Sequence, residues 1–200
     1  MNRINDYKII GIIVFISFSC KLYKKDFDNP VDYEANSDLG ISAPSLVFYP
    51  KTQTININDP LILESIIVFH KDSIQAFSGA HLRVSFPNQL IKFDTILPGL
   101  FITDTSQSNP LFTYTFDGEN ILDIYTYFLS ESRYSIEGTG HIADIIFTAF
   151  EKGVDSLYYD LEYCEIIDVY DDKVPLKGKR GAEVKVCLLY TSDAADDVRG

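Results

Sequence analysis

The stretch Ser78-Gly-Ala-His-Leu-Arg-Val-Ser-Phe-Pro-Asn88 alternates apolar and polar side chains over the length of one β-strand. The apolar positions are Ala80, Leu82, Val84 and Phe86, and the polar positions between them are His81, Arg83 and Ser85. Because successive side chains of a strand point to opposite faces of its sheet, we expect the first set in a core and the second on an outer face. Proline and asparagine then end the strand.

The chain from residue 45 onward repeats this pattern of short apolar or alternating runs separated by Gly, Pro, Asn and Asp. The further runs are residues 45–49, 54–58, 61–70, 90–96, 111–116, 121–129, 141–150, 156–161, 165–169 and 182–186. Their spacing of roughly 8–12 residues is typical of an all-β fold, and we predict an antiparallel β-sandwich of about nine strands. Residues 61–70 are almost continuously apolar, which predicts a strand buried on both faces. The periodicity of an amphipathic helix is not found.

Residues 1–20 have the pattern of an export signal. Arg3 and Lys8 precede an apolar run at 9–18, which is too short to span a bilayer and has the length of a secretory h-region. Cys20 follows a small serine, and this arrangement resembles the lipobox of bacterial lipoproteins. The resemblance implies that Cys20 becomes the lipidated first residue of a protein that is exported and anchored to the cell envelope. The alternative is an uncleaved signal anchor with a chance cysteine.

Two further segments flank the predicted sandwich. Residues 21–44 are polar and contain several Asp and Asn residues, which is typical of a flexible tether. Residues 187–200 have no strand pattern and resemble a translated sequencing adaptor, so we expect a non-native tail there and place the domain at 45–186. If Cys187 belongs to that tail, Cys164 is a lone cysteine, most simply a small buried apolar residue.

The composition restricts the classes of function. Of the 200 residues, 46% are hydrophobic and 23% are charged, which supports a globular domain with a sizeable core. The formal net charge of −12 argues against binding to nucleic acid, and against adsorption to anionic lipid, because both need clustered Lys and Arg. Membrane attachment is therefore expected through acyl chains on Cys20.

Motifs for catalysis or metal binding are not found in the sequence. His70, His81 and His141 fall in separate predicted strands, and no metal-ligand spacing, nucleophile elbow or phosphate-binding loop occurs. The acidic pairs fall in turns or at strand ends, where solvated carboxylates are usual; they are Asp117 with Glu119, Asp160 with Glu162, and Asp171 with Asp172. The oxygen-rich loop 104–109 lacks the spacing of an EF-hand, so calcium is only an alternative to a plain polar loop. We predict a binding protein that has no catalytic site, metal or cofactor.

A second alternating run, residues 121–128, carries two tyrosines on its polar side. If its other side faces the core, Asp123, Tyr125 and Tyr127 stand on an outer sheet face. Exposed tyrosines offer rigid, amphipathic contact area, which suits protein partners and sugar stacking alike. The alternative is that cross-strand tyrosine pairs only stabilise a half-exposed sheet. The lack of tryptophan counts modestly against a carbohydrate platform.

Several of these segments together resemble a cohesin domain, the β-sandwich that captures dockerin modules in bacterial scaffolding systems. Residues 78–86 and 88–93 are similar to a strand and the following edge of that family. Residues 138–149, which read Gly-Thr-Gly-His-Ile-Ala-Asp-Ile-Ile-Phe-Thr-Ala, match a further strand most sharply. Residues 168–175 and 181–186 resemble the closing strands, so the resemblance covers about residues 43–186. The Phe-Pro at 86–87 and the insert at 104–110 depart from the family pattern.

The resemblance implies a jelly-roll-like sandwich that binds a dockerin-type protein through one sheet face and has no catalytic role. The residues expected on that face are His81, Arg83, Ser85, Asp123, Tyr125 and Tyr127. The dockerin would carry the calcium loops, and the domain itself is expected to be a monomer. One alternative is a surface carbohydrate-binding module that takes polysaccharide as its partner, and another is a spacer without a ligand.

Overall fold

The computed structural model describes residues 29–30, 32–69, 76–103, 110–129 and 134–188. Within these ranges the chain forms fourteen strands and two short helices. The strands are β1 (Ser45–Tyr49), β2 (Thr52–Asn56), β3 (Pro60–Val68), β4 (Ala76–Phe77), β5 (Gly79–Ser85), β6 (Ile91–Pro98), β7 (Pro110–Phe116), β8 (Ile121–Phe128), β9 (Ile136–Glu137), β10 (Gly140–Ala149), β11 (Gly153–Tyr159), β12 (Glu165–Ile167), β13 (Gly178–Arg180) and β14 (Ala182–Cys187). The helices are α1 (Tyr33–Asp38) and α2 (Leu100–Thr103).

Two sheets pack face to face, as the sequence predicts. The first sheet has the order β13-β1-β3-β10-β6, and the second has the order β2-β14-β11-β5-β8-β7, with β12 also paired to β5. Most pairs are antiparallel, but β1 with β13 and β14 with β2 are parallel. The all-β sandwich is therefore confirmed with a mixed rather than purely antiparallel pairing, because strands distant in sequence join at the sheet margins without a hairpin.

The core lies between the two sheets and is filled by the apolar sides of the alternating strands. In β5, Ala80, Leu82 and Val84 are buried, and in β8, Leu122 and Ile124 are buried with them. The alternation in both strands is thus confirmed. Burying a side chain of this size stabilises the fold by roughly 1.5–3 kcal/mol, so these rows fix which side of each strand faces the core.

The strand β3 is buried on both faces only in its second half. Leu61 and Leu63 face the core while Ile62 between them is exposed. Ile66 and Val68 lie on the opposite face from these core residues and are nevertheless buried, in a smaller cluster with Ile41 and Val47. The nearly continuous apolar run of β3 is therefore explained by a second layer that covers part of the first sheet.

That second layer comes from residues 32–44, for which the sequence predicts a flexible tether. Asp32 caps α1 by accepting hydrogen bonds from the backbone N–H groups of Glu34 (2.9 Å) and Ala35 (3.2 Å). The buried Asn36 donates to the carbonyls of Pro30 (2.9 Å) and Asp32 (2.8 Å), which fixes the chain before the helix. The tether prediction is therefore wrong for this part, because capping bonds and the burial of Ile41 hold it on the sheet.

Predictions about the two ends of the chain lie largely outside the described residues. Cys20 and residues 21–28, together with His70, the loop 104–109 and residues 189–200, belong to the undescribed parts. Where the chain is described, neither helix has the length and apolar character needed to cross a bilayer. Cys187 ends β14 and, like Cys164, is a free thiol.

Candidate functional site

The register between β5 and β8 brings the predicted site residues together on one face. Arg83 lies directly opposite Asp123, and His81 lies directly opposite Tyr125. Directly opposed residues of an antiparallel pair point to the same side of the sheet. The apolar residues that alternate with these four along β5 and β8 face the core. The four side chains therefore stand on the outer face of the second sheet, and we call them the outer-face cluster.

Asp123 is the centre of the outer-face cluster. Its Oδ1 accepts from Arg83 Nε at 2.9 Å and from His81 Nε2 at 2.7 Å, and its Oδ2 accepts from Arg83 Nη2 at 2.8 Å. The sequence predicts an exposed carboxylate here, but only 2% of the residue is exposed, because the two basic side chains cover it. The hydrogen bond from Arg83, then that from His81 and the charge of both, hold the pKa of Asp123 below its usual range against the effect of burial.

Arg83 makes two further contacts that fix its guanidinium. Its Nη2 lies 3.1 Å from Oδ2 of Asp117, a carboxylate whose side chain is 62% exposed. Its Cζ lies 4.5 Å from the centre of the Tyr163 ring, which is a cation–π distance. The hydrogen bond to Asp123 and the nearby negative groups raise the pKa of Arg83 further above its ordinary value, although burial acts against them. Arg83 is therefore a fixed cation at this surface.

The two predicted tyrosines are held by different neighbours. The ring of Tyr125 stacks on the imidazole of His81, with 4.5 Å between ring centres and an angle of 10°. The ring of Tyr127 lies over Gly79, where an added Cβ would overlap it. Burial, followed by the charges of Glu165 and Tyr125, raises the pKa of Tyr127. Both side chains are half-buried, so each presents a fixed part of its surface to solvent.

Ser85 also lies on this outer face, opposite Ile121 of β8 and Tyr158 of β11. It is half-buried and stands at the end of β5, two positions beyond Arg83. All six side chains of the predicted partner-binding face thus point to the same side of the second sheet. The prediction that this side is the functional one stays a prediction.

Two residues from the segment after β11, Tyr163 and Glu165, extend this face and are not among the predicted site residues. Tyr163 covers Arg83, and Glu165 lies opposite His81 on β12, where it pairs with Lys173 at 2.9 Å. The alternation of residues 165–167 is the sequence pattern from which an outward-facing Glu165 could be predicted. No local sequence pattern predicts that Tyr163 lies on this face, because it is a turn beginning at Asp160 that brings its ring over Arg83 of β5.

Cys164 lies beneath this extended face and accepts a hydrogen bond from the backbone N–H of Arg83, with a nitrogen–sulfur distance of 3.3 Å. Burial raises the pKa of its thiol to about 11, although the backbone contact with Arg83 acts in the opposite direction. A thiol with such a pKa is almost entirely protonated at neutral pH and is a poor nucleophile. Cys164 is only partly buried, whereas the sequence predicts a buried residue, but it packs against the core as expected.

Among the residues that the structure describes, His141 contacts one carboxylate, and the acidic pairs named above lie outside the strands. His141 lies 3.1 Å from Asp144 in β10, and both belong to the first sheet, away from the outer-face cluster. Asp117 pairs with Arg83, and the other acidic pairs named above lie in turns or beside them. Across the described ranges, no group of three or more His, Cys, Asp or Glu side chains is arranged to hold a metal ion. The geometry on the outer face fits binding by contact.

No protein-family model matches the chain, and no curated protein matches its sequence. Solved structures do match. The third cohesin of ScaC from Acetivibrio cellulolyticus, solved with the ScaB dockerin, has a TM-score of 0.56 and 16% identity, over 71% of this chain and 97% of that one. A type I cohesin–dockerin complex from Clostridium thermocellum gives a TM-score of 0.58 and 12% identity, over 72% and 94%.

A type II cohesin from the cellulosome of Acetivibrio cellulolyticus gives a TM-score of 0.56 and 17% identity, over 70% of this chain and 92% of that one. These structures include type I and type II cohesins, and this chain covers each of them almost completely. At such low identity the likeness concerns the fold. The domain therefore has the fold of a cohesin-type β-sandwich.

Proposed function

We propose that this domain is a non-catalytic binding module that captures a dockerin-type partner protein through the outer face of its second sheet. The face runs across β11, β5, β8 and β7 and carries the outer-face cluster at its centre. Two of the similar structures are cohesins in complex with dockerins, which supports a protein partner of this kind. The module would act at the cell envelope, with Cys20 as its lipid anchor, and as a monomer.

The observation that carries this proposal is the fixed arrangement around Asp123. Three hydrogen bonds hold Arg83 and His81 in place, and His81 in turn supports the ring of Tyr125. Association costs less when the contacting side chains are already ordered. Tyrosine and arginine are also the residues that most often dominate interface energetics. A preformed cluster of this composition is therefore suited to bind a partner without rearrangement.

The other sheet is less suited to this role. Its outer face is partly covered by residues 32–44, through the small cluster of Ile41, Val47, Ile66 and Val68. On the second sheet the turn that carries Tyr163 covers Arg83, but Tyr125 and Tyr127 keep part of their surface exposed. A partner that needs a broad, open sheet face would therefore dock on the second sheet.

A binding assay with the full chain tests this proposal. The chain is immobilised and presented with a panel of type I and type II dockerins, first with calcium and then with a chelator. We expect at least one dockerin to be retained only with calcium. Tyr125→Ala and Tyr127→Ala should each weaken its binding by about tenfold or more, because an interface anchor contributes at least 1–2 kcal/mol.

Ile62→Ala is the matched control, because Ile62 is an exposed apolar residue of β3 on the outer face of the other sheet. It should leave the affinity unchanged. The proposal fails if no dockerin binds the unaltered chain, or if Ile62→Ala weakens binding while the two tyrosine variants do not. Thermal unfolding of each variant separates loss of contact from loss of fold.

A further inference from the structure

A second candidate site lies at the open edge between the two sheets. β6 ends the first sheet and β7 ends the second, and a cleft of about 680 Å³ opens between them. Its volume is within the range of known small-ligand sites. The lining side chains are Phe86, Ile91, Phe93, Phe116 and Phe150, with Asn88, Lys92 and Glu119 at the polar positions. None of these residues belongs to the outer-face cluster.

The aromatic wall of the cleft is continuous with the core. Phe93 lies 5.1 Å from Phe116 and 5.9 Å from Phe147, and Phe86 lies 5.2 Å from Phe147, measured between ring centres. Edge-to-face and tilted contacts of this kind hold the rings in place. Phe116 is nevertheless 45% exposed and Phe150 is 46% exposed. The cleft therefore offers two aromatic surfaces to a ligand, and ring contacts hold that of Phe116 in place.

The polar side chains of the cleft carry opposite charges and are weakly engaged. Asn88 Nδ2 lies 3.4 Å from Glu119 Oε2, a distance that is long for a hydrogen bond. The ammonium group of Lys92 forms no ion pair with any residue that the structure describes. Lys92 and Asn88 provide hydrogen-bond donors, and Asn88 and Glu119 provide acceptors. The charges of Lys92 and Glu119 cancel, so the net charge of these side chains is close to zero.

From this combination we infer that the cleft between β6 and β7 binds a neutral carbohydrate. A sugar ring presents an apolar C–H face that stacks on phenylalanine, while its hydroxyl groups both donate and accept hydrogen bonds. A purely apolar ligand would leave the amide, ammonium and carboxylate groups without new partners. An acidic ligand would be opposed by the net charge of −12.

This site is independent of the proposed dockerin face and differs from the carbohydrate alternative drawn from the sequence. That alternative needs a flat aromatic strip on the outer face, but His81 covers one side of the Tyr125 ring. The aromatic surface and the mixed polar groups instead come together at the edge of the sandwich. A single molecule of this protein could therefore hold a glycan and a protein partner at the same time.

Titration of the full chain with neutral hexasaccharides of glucose, mannose and xylose tests the inference, with oligogalacturonate as the acidic comparison. Binding is followed by saturation-transfer NMR and calorimetry. We expect at least one neutral glycan to bind and the acidic one to bind more weakly. Phe150→Ala should lower the affinity at least about tenfold, and Asn88→Ala and Glu119→Gln should each lower it severalfold.

Tyr125→Ala is the control, because it alters the outer-face cluster and leaves the lining of the cleft intact. It should not change glycan affinity. Phe150 makes no aromatic ring contact in the core wall described above, so its truncation should leave the melting temperature nearly unchanged. The inference is overturned if no neutral glycan binds, if oligogalacturonate binds more tightly than every neutral glycan, or if Phe150→Ala binds as the unaltered chain does.

Discussion

The carboxylate of Asp123 and the guanidinium of Arg83 form two parallel hydrogen bonds across neighbouring strands, at 2.9 Å to Nε and 2.8 Å to Nη2. Two-pronged pairs of this kind are the most directional of the charge-assisted hydrogen bonds. The pair lies on the outside of a sheet, yet the carboxylate side chain is almost fully buried and the guanidinium is mostly covered. It therefore behaves as a partly buried ion pair rather than as a surface salt bridge.

Removing the charge of Asp123 should destabilise the domain strongly. In Asp123→Asn, Arg83 loses its two-pronged carboxylate partner and keeps the exposed carboxylate of Asp117 and the ring of Tyr163. We expect the free energy of unfolding at neutral pH to fall by roughly 2–4 kcal/mol, as when one partner of a buried pair is removed. Urea unfolding followed by circular dichroism measures it.

Asp117→Asn is the matched control for this prediction, because it removes a carboxylate that contacts the same guanidinium nitrogen from the solvent side. An exposed pair contributes at most about 1 kcal/mol, so this variant should unfold close to the unaltered chain. Equal losses from the two variants would show that the burial of Asp123 contributes nothing to the strength of the pair.

The same pair predicts how stability depends on pH. The hydrogen bond from Arg83 lowers the pKa of Asp123 in the folded state below the unfolded value of about 3.9. Its stabilisation is therefore complete above that unfolded value and is lost as the pH falls through the folded pKa. The stability difference between the unaltered chain and Asp123→Asn should be present at about pH 5, where the Asp123 carboxylate is ionised in both states, and should shrink as the pH falls below about 4. A difference that still grows below about pH 4 contradicts this.

Gly79 and Tyr127 should be coupled across β5 and β8. An added Cβ at Gly79 would overlap the Tyr127 ring, so Gly79→Ala should cost about 1–3 kcal/mol of unfolding free energy. In a Tyr127→Ala background the ring is gone, and most of that cost should disappear. A double-mutant cycle measured by urea unfolding gives the coupling energy.

Tyr125→Ala provides the control background for that cycle, because Tyr125 packs on His81 and does not meet the added Cβ. Gly79→Ala should keep its full cost there. If the cost is the same in all three backgrounds, the backbone around Gly79, rather than the tyrosine ring, excludes a side chain.

Much of the outer face could be predicted from local sequence. Alternation in β5 and β8 assigns His81, Arg83, Tyr125 and Tyr127 to one side of a sheet whenever the apolar side faces a core. Alternation does not give the register between two strands, which decides that Arg83 meets Asp123 and not a neighbour. The burial of Asp123 follows from that register, and for this reason the sequence wrongly suggested an exposed carboxylate.

Other features of the structure that the sequence did not predict also depend on residues that are distant along the chain or on strands that are very short. The cleft combines Asn88, Gly118 and Phe150, which follow β5, β7 and β10 and meet only when both sheets are in place. Residues 32–44 look like a tether because their stabilising partner, the outer side of β3, lies far along the chain. Strands of two or three residues, such as β4 and β9, are too short to show any periodicity.

The core contains a buried hydrogen bond between a tyrosine and a serine, and removing both hydroxyl groups should destabilise the domain less than removing only that of the tyrosine. Tyr159 donates its hydroxyl to Ser65 Oγ at 2.8 Å while its ring stacks on Phe48, and both Tyr159 and Ser65 are fully buried. Burial raises the pKa of Tyr159, so the hydroxyl stays protonated at neutral pH. Tyr159→Phe leaves the buried serine hydroxyl unpaired and should cost about 1–3 kcal/mol, whereas Tyr159→Phe combined with Ser65→Ala should be closer to the unaltered chain. Urea unfolding of Tyr159→Phe, Ser65→Ala and the double variant decides this, and additive losses in the double variant would mean that this hydrogen bond does not couple the two side chains.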